Sequence, residues 1–150
     1  MERIVVMMTF LFIAGCANPF GGGSYNGPVQ CAPYARQVSG INLRGAAASW
    51  WWQAKGRYRR SHQPVPGAVL VFRATRRVPD GHVSVVKRRV SERRILVDQA
   101  NWVPGKIEHS VVVEDVSPTS DWTQVRVWWA PSDVLGRRIY ATYGFILPNR

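Results

Sequence analysis

Two side chains in this sequence are suited to making and breaking an acyl bond. One is Cys31, in Gln30-Cys31-Ala32-Pro33-Tyr34-Ala35-Arg36, and the other is His82, in Gly81-His82-Val83-Ser84-Val85-Val86. Pro33 is at home in the first turn of a helix, so the spacing predicts that a helix begins at the cysteine. Unpaired N–H groups and the positive end of the helix dipole favour thiolate over thiol there, which makes the sulfur a better nucleophile. A nucleophile needs a base, and His82 opens an apolar β-type run that would hold an imidazole rigidly. The later strand Asp98-Gln99-Ala100-Asn101-Trp102 offers an acid or an amide to orient that ring. His62, in a polar loop, and His109, after Glu108, open no such run, so His82 is preferred.

Rival chemistries lack their signatures. No His-Glu-x-x-His pair suggests a zinc hydrolase, and no Gly-x-Ser-x-Gly elbow suggests a serine nucleophile. The expectation is therefore cysteine chemistry with no metal and no cofactor.

These residues must be positioned by a single domain, since 150 residues suffice for one packed core and not for two. Helices are expected over 31–38 and 45–55, punctuated by Gly40 and Gly56. Trp50, Trp51 and Trp52 cannot all face one way at about 100° per residue, so at least one ring should reach solvent. From Pro64 onward short β-branched runs follow at 68–72, 83–87, 94–100, 110–116, 124–128 and 139–145. Their hairpin-like spacing predicts a mainly antiparallel sheet of about six strands with the early helices on one face, an α+β fold.

The first residues read differently. Positions 4–13 are apolar but short for a bilayer span, and Ala14-Gly15-Cys16 follows, so 1–15 reads as an export signal. Ile13-Ala14-Gly15-Cys16 resembles a bacterial lipobox. That resemblance implies cleavage before Cys16, lipidation of its sulfur and anchoring to a membrane. Residues 16–28 are then expected as a Gly-rich tether and 29–150 as the catalytic domain. The competing reading is an ordinary cleaved signal. With Cys16 lipidated, Cys31 has no partner in the chain; the alternatives are a Cys16–Cys31 disulfide or an inert buried thiol.

The net charge is +11, and eleven of the twenty Lys and Arg lie between Arg57 and Arg94. An exported protein meets anionic wall polymers and phospholipid headgroups first, so this basic patch is read as steering to such a surface, against a plainly solvated face. The export signal argues against nucleic acid as a partner. A monomeric, membrane-anchored periplasmic lipoprotein is expected.

The order of cysteine at a helix start, histidine on a strand and amide on the next strand resembles the CHAP domains, cysteine- and histidine-dependent amidohydrolases and peptidases. The matching stretches are those quoted above, together with Pro66-Gly67-Ala68-Val69-Leu70-Val71-Phe72. The resemblance implies a papain-like fold and cleavage of peptidoglycan amide bonds, with Cys31 as nucleophile and His82 as general base. It also implies a resting thiolate–imidazolium pair. For the third member, Asn101 comes first. Gln99 stands where the family often has Glu, and Asp98 enters if the strand register slips by one. The Cys31 N–H and the Gln30 or Tyr34 side chain are the oxyanion-donor candidates. The alternative function is a non-catalytic wall-binding lipoprotein of the same fold.

Overall fold

Gln30 is extended (φ −134°, ψ 146°), and at the next residue the chain turns into helix α1 (Cys31–Ser39). These coordinates come from a computed structural model describing residues 25–149. The export signal, Cys16 and the tether up to residue 24 lie outside the described residues. The Tyr34 N–H closes the first turn on the Gln30 carbonyl at 3.2 Å. Gly40 ends the helix in the left-handed region, its N–H bonded to the Arg36 carbonyl.

The second expected helix is shorter than its alanines suggest. It consists of a 3-10 turn (Ala47–Ser49) and one α-helical turn, α2 (Trp50–Gln53). The Ser49 hydroxyl donates to the Ala46 carbonyl at 2.6 Å, the local competition that makes serine a poor interior helix residue. Trp50 is fully buried, whereas Trp52 is 62% exposed.

The strands are β1 (Arg60–Ser61), β2 (Val69–Phe72), β3 (His82–Ser91), β4 (Arg94–Ala100), β5 (Ile107–Asp115), β6 (Gln124–Trp129), β7 (Val134–Leu135) and β8 (Tyr140–Ile146). Neighbours follow the order β1-β8-β2-β3-β4-β5-β6-β7, and every pairing is antiparallel. β8 also pairs with β6, through Gln124↔Ala141 and Val125↔Tyr140. That second pairing closes six strands, β2 to β6 and β8, into a barrel, with β1 and β7 as additions.

The expected papain-like α+β arrangement, helices laid on an open sheet, is therefore corrected to a mostly β fold with two short helices. Closure follows from β8 having a partner on each side. A register shift lies at Val71/Phe72, and Gly144 lies at φ 128°, where a Cβ would stand 2.7 Å from the Ser61 carbonyl oxygen. Such irregularities let a strand bend round a barrel.

Two apolar layers share the barrel wall. Leu70, Phe72, Val86, Ile95, Val97, Val113, Val125 and Phe145 belong to one core, while Val69, Val71, Val83, Val85 and Ile146 pack with Ala35, Leu43 and Trp50 in the other. Alternation thus sends successive β2 residues to opposite cores, which is why that strand is apolar throughout.

Candidate active site

A cleft of about 520 Å³ is lined by Gln30, Cys31, Arg36, Ala46, Asp80, Gly81, His82 and Asn101, among others. Cys31 enters it from the first position of α1 and His82 from the first position of β3. Gly81 makes this approach possible. It lies at φ +72°, and a Cβ there would meet the Phe72 carbonyl oxygen at 2.6 Å and the Ala48 backbone nitrogen at 2.8 Å. The Ala48 N–H donates to the Asp80 carbonyl at 2.8 Å, fastening the 3-10 turn beside the histidine.

His82 is buried against aromatic rings, with Phe72 edge-on at 5.3 Å and Trp102 tilted at 5.0 Å between centroids. Burial lowers its pKa to about 4, against a smaller raising effect from the hydrogen bond to Gln99. That bond joins His82 Nε2 to Gln99 Oε1 at 3.1 Å. An amide oxygen only accepts, so Nε2 donates and Nδ1 keeps its lone pair.

The Cys31 thiol is half-buried, and desolvation raises its pKa above the ordinary value. The N–H groups of Val83, Ala32 and Cys31 act in the opposite direction by bonding the sulfur, and Asp80 adds to the rise. The three N–H groups supply the expected helix-start stabilisation, but burial outweighs it. Both directions, thiol up and imidazole down, favour a resting thiol and imidazole over the ion pair expected from the resemblance. Alkylation of the folded protein by iodoacetamide should accordingly accelerate steadily as pH rises towards the thiol range. A rate already at its plateau by about pH 5 would contradict this resting state.

The other expected site residues divide. Asn101 lines the cleft, but it is a turn residue: φ is 62°, its Oδ1 accepts the Gly105 N–H at 2.8 Å, and it makes no hydrogen bond to His82. The imidazole is held instead by Gln99, the second choice, which is fully buried. Asp98 points away, accepting the Ser110 N–H at 2.8 Å and facing His109 and Lys87 at 3.5 and 3.8 Å. Gln30 lines the cleft, and Tyr34 does not. Tyr34 is buried edge-on to Tyr25, and its pKa is raised to about 12 by burial, then by Asp98 and Tyr25.

The sequence reading gave no role to Phe72 and Trp102, the walls of the imidazole, or to Glu108, which approaches Gln99 from β5. Only the strand register brings them there. Of the eleven basic residues between Arg57 and Arg94, all are exposed except half-buried Arg93, whose guanidinium bonds the Asp115 and Ser117 carbonyls.

A thiol, an imidazole and an orienting amide around one cleft make up the equipment of a cysteine-dependent hydrolase. The chain belongs to the CHAP domain family, whose model matches residues 20–101. That segment is more than half of the 150 residues and contains Cys31, His82, Gln99 and Asn101. CHAP domains are generally cysteine- and histidine-dependent amidohydrolases and peptidases, so the chain's function is of the peptidoglycan-hydrolase type. A comparison with curated proteins found no match.

Proposed function

We propose that this protein is an exported peptidoglycan amidase or endopeptidase in which Cys31 is the nucleophile, His82 the general base and Gln99 the residue that orients the imidazole. The observation carrying this reading is that sulfur and imidazole line one cleft while Gln99 occupies the far ring nitrogen. His82 Nδ1 takes the thiol proton as the sulfur attacks the substrate carbonyl carbon. The thiolate forming alongside raises the proton affinity of the ring, so the ion pair arises during attack. The imidazolium then returns the proton to the leaving amine, leaving a thioester. Water, deprotonated by His82, hydrolyses the thioester to the acid and restores the thiol. The Cys31 N–H and the Gln30 side chain are the candidate donors to the oxyanion.

Arg36 and Asp80 on the cleft wall offer a cation to a peptide carboxylate and an anion to a peptide amine. Export by residues 1–15, lipid attachment at Cys16 and residence on a periplasmic membrane surface belong to the same proposal. Digesting defined muropeptides with purified protein and weighing the products names the bond; intact muropeptides under all conditions would overturn the reading.

A specific surface also favours wall adhesion. Exposed Trp52 meets Tyr143 edge-on at 5.7 Å, Arg73 lies 4.3 Å over Tyr143 and Arg60 4.7 Å over Trp51, and none of these lines the cleft. Aromatic and arginine groups of this kind grip saccharide and anionic polymer. Trp52→Ala should weaken sacculus binding by roughly tenfold while leaving hydrolysis of soluble muropeptides unchanged. Unchanged pelleting with sacculi would remove this face from adhesion.

A further inference from the structure

Gln99 on β4 and Glu108 on β5 are direct partners in the antiparallel register, so their side chains leave the sheet on the same face. Gln99 turns its oxygen to His82 Nε2 at 3.1 Å and its nitrogen to Glu108 Oε2 at 3.5 Å. The same carboxylate oxygen accepts the Val103 N–H at 3.4 Å, which ties Glu108 to the turn after β4. Glu108 lies beyond the segment that matches the family, residues 20–101.

A carboxamide has one accepting end and one donating end, whereas a carboxylate only accepts. Glu108 therefore decides which way round the buried amide sits: NH₂ towards the carboxylate, oxygen towards the ring. An acceptor at Nε2 demands a proton there, and Nδ1 is left as the base. We infer that Glu108 is a positioning residue that selects the Nε2–H tautomer of His82 through the amide of Gln99. The Glu108 carboxylate thus acts on the ring through a neutral spacer. The catalytic consequence rests on the Cys31–His82 reading proposed above; the tautomeric consequence does not.

Glu108→Gln is isosteric and keeps an acceptor for Val103, but its amide can either donate or accept. Gln99 is then free to turn over, offer NH₂ to Nε2 and favour the Nδ1–H tautomer, whose lone pair sits on Nε2 facing Gln99.

The test is ¹⁵N NMR of histidine-labelled full-length protein, with the His82 ring assigned by comparison with His82→Gln, alongside muropeptide kinetics. Wild type should show Nε2–H, and Glu108→Gln should show a mixture or Nδ1–H. With that change kcat should fall roughly 10–100-fold at nearly constant KM. The double variant Gln99→Glu/Glu108→Gln returns a pure acceptor to the ring and should recover both tautomer and rate. A wild-type Nδ1–H ring, or a folded Glu108→Gln protein with unchanged tautomer, overturns the inference, and the wild-type ring can do so even if the variant does not fold. A tautomer that switches in a protein without hydrolytic activity would sink the enzymatic reading and leave the relay standing.

Discussion

Replacing Cys31 with serine should lower muropeptide release by roughly 10⁴-fold or more while leaving the thermal midpoint within a few degrees of wild type. The asymmetry follows from the site. A serine hydroxyl is a far weaker acid than a thiol, and His82, whose pKa is lowered to about 4, is a weak base in the resting protein. Proton transfer from sulfur is already uphill, since burial raises the thiol pKa. From oxygen it is prohibitive. The stability cost should be small because the side chain is half-buried and the N–H groups of Val83, Ala32 and Cys31 can bond a hydroxyl as they do the sulfur. Equal turnover by the two proteins, compared by chromatography of the released fragments, would exclude Cys31 as nucleophile. Loss of the folded circular dichroism signal along with turnover would instead point to a structural thiol.

The second large effect is acid destabilisation through His82. Its folded pKa of about 4 lies below the ordinary 6.5, so between those values the unfolded chain carries a proton that the folded chain rejects. Stability therefore rises with pH across this window and is lost as pH falls from 6.5 through 4. At about 1.4 kcal/mol for each pH unit, the loss approaches about 3 kcal/mol. Urea unfolding followed at several pH values should show this slope in wild type, and His82→Gln should flatten it. An equally steep slope in the variant would mean that other groups govern acid lability. Asp121 acts in a lower window. The Thr123 side chain is the largest cause holding its pKa near 2, so its contribution is present above the ordinary 3.8 and fades only as pH falls towards 2.

Much of the site was legible in the linear pattern because local chemistry encodes it. Pro33 after Cys31 marks a helix start whatever surrounds it, and the apolar run that His82 opens marks a strand. Asp98 enters only with a register slip, and in the structure it faces Ser110 and His109 instead. The choice between Asn101 and Gln99 was less legible. The Asn101 side chain spends its oxygen on Gly105 inside a six-residue turn, a local use that a family pattern does not reveal. Gln99 meets the imidazole because β3 and β4 share a face, and Glu108 stands behind it only through the β4–β5 register. Protonation is hard to read for a similar reason: the dipole at a helix start can be read from sequence, but the desolvation that pushes the thiol pKa up comes from packing.

The six apolar runs, their antiparallel habit and the cysteine and histidine at the heads of their elements were set by residue type and spacing alone, because turn chemistry and side-chain alternation act over a few residues. Closure into a barrel was decided in three dimensions. It depends on Tyr140 and Ala141 finding Val125 and Gln124 while the rest of β8 holds β2, and no local preference distinguishes a last strand left on an edge from one paired on both sides. The tertiary structure likewise decided which amide faces the imidazole and shifted both reacting groups towards their neutral forms, since burial, unlike periodicity, belongs to the assembled molecule.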